Sequence, residues 1–353
     1  MKFNIETYEK FDTKLFVEWE HAWKKSKGAH MFNSPYWFRS FTNSYNTNKQ
    51  LIIVCRVNNN LVGVLPLIKS KKYGFSAYIS PGGKYLDKNT LFLGSDSKIV
   101  VKKLITKLIQ IGNFYLTEIP EATNATILNN FKKLKSSVSS VSRILLFNDD
   151  PFLHVNHENI RRIRKRIKEN ENIKFQTSYG DIRSVIKTIK EIEGDSSKRT
   201  SNKQVFTDTN LINAYAEIQS LCKNSIIFTF IYDQDEAIGY IYGFVINNSY
   251  HYCNTAFKSK YGKISPGKML MFLTIDELNK NKINLVDFSR GDTQFKQEFT
   301  PNTYNQYSIY YFKNPIVMFV WNTLYKIKPY LDKHENILEF IRINIDKVKK
   351  FIK

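Results

Sequence analysis

Residues 52–67, IIVCRVNNNLVGVLPL, and residues 229–244, TFIYDQDEAIGYIYGF, decide the fold. Each reads as two apolar strands about a polar turn. In the first, Leu51–Val57 and Leu61–Ile68 flank Asn58-Asn59-Asn60; in the second, Ile226–Tyr232 and Ala237–Ile246 flank Asp233-Gln234-Asp235. Aligned by eye, Gly63 falls opposite Gly239. The elements after each hairpin also repeat. A helix over 97–112 and a strand at Phe114–Ile119 come after the first. A third strand at Tyr250–Phe257, a helix over 266–280 and a strand at Leu285–Phe288 come after the second. The copies align through Leu116-Thr117-Glu118 and Val286-Asp287-Phe288. The expectation is an α/β (α+β) chain built from one unit used twice.

Upstream of the first hairpin, residues 11–48 read as two helices. Phe16, Trp19 and Trp23 keep helical spacing, and Ser34-Pro35 is a cap followed by a first-turn proline. The tail from Pro315 differs in pattern. Val317, Val320, Trp321, Leu324 and Leu331 mark one helix, with an interruption expected near Pro329. Ile337, Leu338, Ile341, Ile345, Val348 and Ile352 form the stripe of another, with Arg342, Lys347, Lys349 and Lys350 off it. That stripe fits either packing on the core or lying on an anionic lipid surface. The divisions expected are 1–150, 151–314 and a helical tail over 315–353, since domains run ~100–200 residues.

The chain of 353 residues carries 53 Lys+Arg against 32 Asp+Glu, a net charge of +21. Its 26 Phe and 21 Tyr, within a hydrophobic share of 42%, supply two cores and exclude a disordered polycation. Richness in Lys, Asn and Ile is what A+T-biased coding produces. The charge therefore favours an anionic partner without choosing among cofactor, nucleic acid and membrane. No window reaches the ~18–20 apolar residues of a membrane span, and MKFNIETYEK has no apolar leader. Cys55, Cys222 and Cys253 are odd in number and far apart, so they read as free thiols in a reducing compartment. A cytoplasmic protein is expected, with the tail a candidate peripheral contact on the inner membrane face.

Two stretches could carry chemistry. In Lys260-Tyr261-Gly262-Lys263-Ile264-Ser265-Pro266-Gly267-Lys268, Ser265 suits a helix N-cap and Gly262 and Gly267 allow close backbone approach. Helix N-termini hold phosphate, and Lys260, Lys263 and Lys268 add charge. The same string is equally an ordinary capped helix start. In Asp287-Phe288-Ser289-Arg290-Gly291-Asp292-Thr293-Gln294-Phe295-Lys296, Asp292, Arg290 and Lys296 converge at a strand's C-terminal end, either for acid–base work or as a salt-bridged turn. Arg161, Arg162, Arg164, Lys165, Arg166 and Lys168 form the basic face of a helix whose apolar face is Ile160, Ile163 and Ile167. Glu193 and Asp195 are further carboxylates. His154-x-x-His157 lacks supporting ligand spacing, so no metal is expected.

The order of these motifs resembles the GNAT-type acetyltransferase domain of the FemAB-like and cellulose-biosynthesis CelD-like proteins. The Arg-rich helix matches Asn159–Lys168. A Glu-x-x-Ser-Trp-Lys element is similar to Glu193-Gly-Asp-Ser196-Ser197-Lys198. A Ser/Pro-Gly helix start matches Ser265-Pro266-Gly267, and Asp-Phe-Gly-x-Gly-Asp…Tyr-Lys matches Asp287–Asp292…Phe295-Lys296. Phe-x-Ser-Pro-x-Trp matches Phe32–Trp37. Ser197 stands in place of the Trp, Ser289 of a Gly and Phe295 of the Tyr; the first puts the acceptor pocket in doubt. The match covers 155–300 well and 15–120 loosely.

The resemblance implies tandem GNAT-like lobes, each a mixed, mostly antiparallel sheet flanked by helices. The second would transfer an acyl group from acetyl-CoA to an amine of an amino-sugar precursor or envelope glycan. Lys260–Lys268 would hold the pyrophosphate. Asp292, then Glu193, would be base or acceptor contact, with Arg290, Lys296, Lys198 and Trp37 around the acceptor. Two alternatives stay open: an aminoacyl-tRNA-dependent transferase, to which the charge is suited, and a non-catalytic basic module. The first lobe, whose Ser80-Pro81-Gly82-Gly83 precedes no clear helix, would be a non-catalytic copy shaping the acceptor cleft.

Overall fold

The computed structural model describes residues 2–72, 75–89, 91–93, 98–147, 150–152, 155, 157–179 and 181–331. The first repeat runs β1 (Phe3–Tyr8), α1 (Thr13–Lys25), α2 (Pro35–Ser44), β2 (Gln50–Val57), β3 (Asn60–Lys72), β4 (Phe75–Ile79), the short β5 (Phe92–Leu93), α3 (Lys98–Ile111), β6 (Phe114–Pro120), α4 (Glu121–Asn130) and β7 (Lys135–Leu146). After α5 (His157–Glu169) the same order returns. It runs β8 (Ile173–Ser178), α6 (Ile182–Gly194), the short α7 (Ser197–Thr200), α8 (Thr209–Leu221), β9 (Ile226–Asp233), β10 (Glu236–Ile246), β11 (Ser249–Phe257), α9 (Pro266–Lys280), β12 (Leu285–Arg290), α10 (Gln294–Gln297) and β13 (Thr303–Tyr311). A last helix, α11 (Pro315–Leu331), runs through Pro329 without the expected interruption. The second amphipathic stripe, 337–352, and His154 lie outside the described residues.

The two units share one sheet. Its strand order is β1-β2-β3-β4-β6-β13-β7-β12-β11-β10-β9-β8, with β5 beside β3. The terminal strands are exchanged. β7, which closes the first repeat, pairs with β12 of the second, while β13 pairs with β6 of the first. β7 and β13 pair with each other at the centre. Because each repeat lacks its own last strand, the lobes form one hydrogen-bonded body whose two halves complete each other.

Local chemistry explains the elements. Asp12 caps α1 by accepting from the Leu15 N–H at 2.7 Å, and Ser34 caps α2 by accepting from Trp37 at 3.0 Å. Asn58 and Asn59 take the left-handed backbone of a tight hairpin turn, as Gln234 does in the second copy. Both hairpins bulge one residue before the aligned glycine, at Val62 and Ile238. A Cβ on Gly63 would lie 2.4 Å from Val100 of α3, and one on Gly239 3.1 Å from Leu270 of α9. The glycines thus do the same work in each copy: they let the following helix cross the sheet. The end of the repeat registers one residue away from its alignment by eye. β6 and β12 each bulge against their neighbour, and the bulged residues with positive φ are Glu118 and Ser289. Glu118 is therefore the counterpart of Ser289, not of Phe288.

One face of the sheet carries α1, α2, α6 and α8 in a core shared by both lobes, where Trp37 meets Phe244 and Tyr215. The opposite face holds α3 and α4 over the first lobe and α5 and α9 over the second. α11 buries Trp321 and Leu324 against β4, β6 and β13. Cys55 is buried, Cys222 and Cys253 are half-buried, and all three are free thiols.

Candidate active site

In the second lobe β11 and β12 run parallel but pair only over Ser249–His251 and Leu285–Asp287, then part. Beyond His251, β11 has no strand partner on that side among the described residues, so its backbone edge faces a gap. Within the same stretch β11 bulges at Cys253, the residue skipped between the pairs Gly243–Tyr252 and Tyr242–Asn254. Only glycine fits at 243, because a Cβ there would lie 2.3 Å from the His251 carbonyl oxygen. A parted, bulged strand turns backbone N–H groups out of the ladder, where they can meet a carbonyl oxygen instead.

The loop after β11 is a 3-10 turn over Ser259–Ile264 leading into α9. Ser265 occupies the N-cap position, but its backbone is left-handed (φ +56°) and its hydroxyl does not cap the first turn. The expected side-chain cap is absent for that reason. In that first turn Pro266 has no N–H and Lys268 donates its own to the Ser265 carbonyl at 3.0 Å, which leaves the Gly267 N–H for an anion. Lys260 and Lys258 bind Glu236 at 2.8 and 2.7 Å, and hydrogen bonds from both, with Tyr261, hold that carboxyl at about 2. Lys268 binds Glu298 at 2.7 Å. Lys263, Gly262 and the backbone of the turn are exposed, whereas Gly267 is buried against Phe257.

The cluster expected at 290–296 spreads to different partners. Asp292 faces Arg143 of β7 at 2.5 Å, and that hydrogen bond keeps its carboxyl below the usual range. Arg290 turns the other way, to Asp87 at 2.9 Å, to the Lys84 carbonyl and toward Glu118 at 3.9 Å. The Lys296 ammonium donates to the carbonyls of Ser289 and Arg290 at 3.2 and 2.7 Å, and burial pushes it down to about 8. Glu193 is buried and surrounded by donors: the Val205 and Phe206 N–H groups at 3.0 and 3.3 Å and the Tyr240 hydroxyl at 2.7 Å. It holds the loop before α8 onto β10. Lys198 lies 3.7 Å from Glu193, donates to Asn254 and is lowered to about 8 by burial. Trp37 is 1% exposed; its indole N–H donates to the Pro81 carbonyl at 3.2 Å. Gly82 sits on that ring with φ +96°, where a Cβ would be 2.7 Å from it. Trp37 thus supports the Pro81-Gly82 turn from within the core.

The residues that complete the site come just after that turn. In the first lobe β4 and β6 pair only at Tyr78 and Phe114, and the gap is filled by the chain itself. The Asn89 N–H donates to the Glu118 carbonyl at 2.7 Å, its side chain to Ser80 at 2.6 Å, and Gln306 holds the Asp87 carbonyl at 3.0 Å. This segment delivers Asp87 and Lys88 to the second lobe. Lys88 pairs with buried Asp287 at 2.9 Å, where Tyr304 also donates at 2.8 Å. Burial alone would raise Asp287, but the Lys88 charge and the hydrogen bonds from Lys88 and Tyr304 hold its carboxyl below the usual range. Burial drives His251, 3.7 Å away, down to about 4, so it is neutral. Asp87 is different. Burial raises its carboxyl against Arg290 and Lys296, the Glu118 and Asp287 charges add to the rise, and it comes to about 7.

Asp87 lies on the wall of a cavity of about 410 Å³ between the lobes, with Tyr242, the bulge residues Cys253 and Asn254, and Val205. A second cavity of about 380 Å³ lies on the other side of Lys84 and Arg290, which line both. Its wall is rich in hydroxyls (Ser80, Thr117, Ser139 and Ser308), with Lys71 and Glu118. Among the described residues no group of His, Cys, Asp and Glu is arranged to hold a metal.

Residues 156–297 match the family described as the acetyltransferase (GNAT) domain. No curated protein matches the sequence. Among solved structures, the chain is similar to FemX at 11% identity and TM-score 0.66, over 89% of this chain and 99% of that one. The C-terminal domain of a putative lysylphosphatidylglycerol synthetase from Agrobacterium fabrum aligns at 7% identity and TM-score 0.58, over 88% and 95% of the two chains. L-PGS from Bacillus licheniformis aligns at 10% identity and TM-score 0.52, over 84% and 98%. At these identities the likeness is one of fold. The chain carries a GNAT-type domain and is an acyltransferase.

Proposed function

We propose that this acyltransferase moves an acyl group from acyl-CoA to an amine held across the two lobes, on an amino-sugar precursor or envelope glycan. The observation that carries the reading is Asp87: a carboxyl at about 7 on the wall of the cavity that also exposes the Cys253 bulge. A general base works best when its pKa is near the operating pH. The acyl carbonyl would lie in the gap between β11 and β12, its oxygen toward the N–H groups freed at the bulge. The neutral amine attacks the carbonyl carbon and its proton passes to Asp87. The tetrahedral centre collapses, the C–S bond breaks, and the thiolate leaves with that proton. The uncapped start of α9 suits the pyrophosphate, and the hydroxyl-rich cavity suits a polyol acceptor. In the first lobe the corresponding place beside β6 is taken by the chain's own segment 87–89, whose Asn89 N–H donates to the Glu118 carbonyl, so the donor is assigned to the second lobe.

A second reading, transfer from aminoacyl-tRNA, is favoured by one fact. Lys260 and Lys268, two of the three loop lysines a pyrophosphate would use, are tied to Glu236 and Glu298. An ester donor that brings no pyrophosphate to this loop would leave those pairs intact. The test is thiol release from acetyl-CoA over a panel of amino sugars, beside titration with acetyl-CoA and with charged tRNA. Heat of acetyl-CoA binding and amine-dependent thiol release support the first reading. Binding of charged tRNA alone, with a steep salt dependence, replaces it with the second.

A further inference from the structure

Large apolar side chains stand exposed at scattered single positions, as on any soluble surface: Val17, Ile99, Val138 and Leu146. α11 differs. It carries Ile316 at 55% and Phe319 at 72% exposure one turn apart on its outer face, while Trp321 and Leu324 hold its inner face to the sheet. Phe319 is the most exposed large apolar side chain among the described residues.

The charge on this helix is of one sign. Pro315–Leu331 contains no Asp or Glu and two Lys. Lys326 is exposed further along the helix, and Lys313, just before it, is exposed with its ammonium on the Gln110 carbonyl at 2.8 Å. The sequence beyond α11 has apolar residues at 337, 338, 341, 345, 348 and 352, basic residues at 333, 342, 347, 349, 350 and 353, and acidic residues at 332, 335, 339 and 346. Exposed aromatic and aliphatic side chains on a helix without acids, fixed to a chain of charge +21, are complementary to a surface that is apolar within and anionic at its headgroups. A protein partner would need a larger patch than two side chains; an interfacial anchor does not.

We propose that α11 seats the protein on an anionic lipid bilayer, with Ile316 and Phe319 inserted among the headgroups and Lys326 at the phosphates. α11 also contributes Tyr325, whose hydroxyl donates to Ser308 at 3.1 Å, to the hydroxyl-lined cavity. Docking would therefore place one wall of that cavity beside the lipid surface.

The experiment is flotation of the full chain with vesicles of phosphatidylcholine alone and of phosphatidylcholine mixed with phosphatidylglycerol. It needs no acyl donor, so its outcome is separate from that of the acyltransfer assay. The wild type is expected to float with the anionic vesicles and to be released by salt. Ile316→Asp with Phe319→Asp should lower partitioning roughly tenfold or more, since burying a Phe side chain is worth about that factor. Should that variant fail to fold, Phe319→Trp gives a second reading: its emission should shift to the blue on adding anionic vesicles. A wild type that stays in solution, or a folded Asp variant that floats as the wild type does, overturns the proposal. So does a wild-type dimer in lipid-free buffer that the Asp pair dissociates, which would assign the patch to a second copy of the chain.

Discussion

Replacing Asp87 with Asn should lower activity and raise stability together. The side chain is 13% exposed, and its carboxyl stands at about 7 against an ordinary 3.8. Between those values the folded chain holds a proton that the unfolded chain has released. Stability therefore falls as pH rises through that window, and above it the buried charge costs ~4 kcal/mol relative to the neutral form. Asn imitates that neutral form, so the variant should unfold at a higher temperature than wild type at pH 8 and at nearly the same temperature at pH 4. The pair with Arg290 is already counted in that figure, since its charge lowers the Asp87 carboxyl toward about 7. Catalysis should move the other way. Loss of a general base costs roughly a hundredfold to ten-thousandfold in rate. The assay is thiol release from acetyl-CoA followed across pH, with thermal unfolding on the same samples. Wild-type kcat/KM should rise through an apparent pKa near that of Asp87, and Asn should erase that limb. A variant that loses less than threefold in kcat/KM and keeps the pH limb would refute the reasoning, as would one less stable than wild type at pH 8.

Other substitutions separate the machinery from its supports. Gly243→Ala puts a methyl group into the His251 carbonyl, so it should cost ~2–4 kcal/mol and abolish donor binding by calorimetry. Glu193→Ala strands two loop N–H groups and the Tyr240 hydroxyl; chemical denaturation should show a loss of ~3 kcal/mol or more. Asp292→Asn removes the charge beside Arg143, which is 10% exposed. It should lower thermal stability while leaving the pH–rate profile in place, whereas a catalytic Asp292 would change the profile. Gly82→Ala, at φ +96° against the Trp37 ring, should weaken acceptor binding through the displaced 81–89 segment, read as a raised KM.

What the sequence reveals here is what local chemistry controls. The hairpins, the Ser34-Pro35 start, α9 and the equivalence of Gly63 and Gly239 come from alternation, turn residues and capping, all within a few positions. The exchange of β7 and β13 depends on pairing between residues far apart in the chain, such as Leu146 with Leu285 and Pro120 with Gln306, and no short pattern encodes it. The one-residue offset at Glu118 and Ser289 arises from a bulge that only the neighbouring strand reveals. The residues at 290–296 are adjacent in the chain, yet the ladder against β7 sends Asp292 and Arg290 to opposite sides. Asp87 is detectable in the sequence only as a carboxylate shortly after a Pro-Gly-Gly turn. Its significance comes from a first-lobe gap that its own segment fills, which turns a surface-type residue into a buried one. Trp37 keeps its place in a motif, but its indole supports the turn from below.

The central claim is a single donor site per chain, in the second lobe, with the first lobe closed by its own residues 87–89. Titration calorimetry of the full chain with acetyl-CoA tests it most directly. One molecule bound per chain, abolished by Gly243→Ala, is the result expected; no binding, or two molecules per chain, would contradict it.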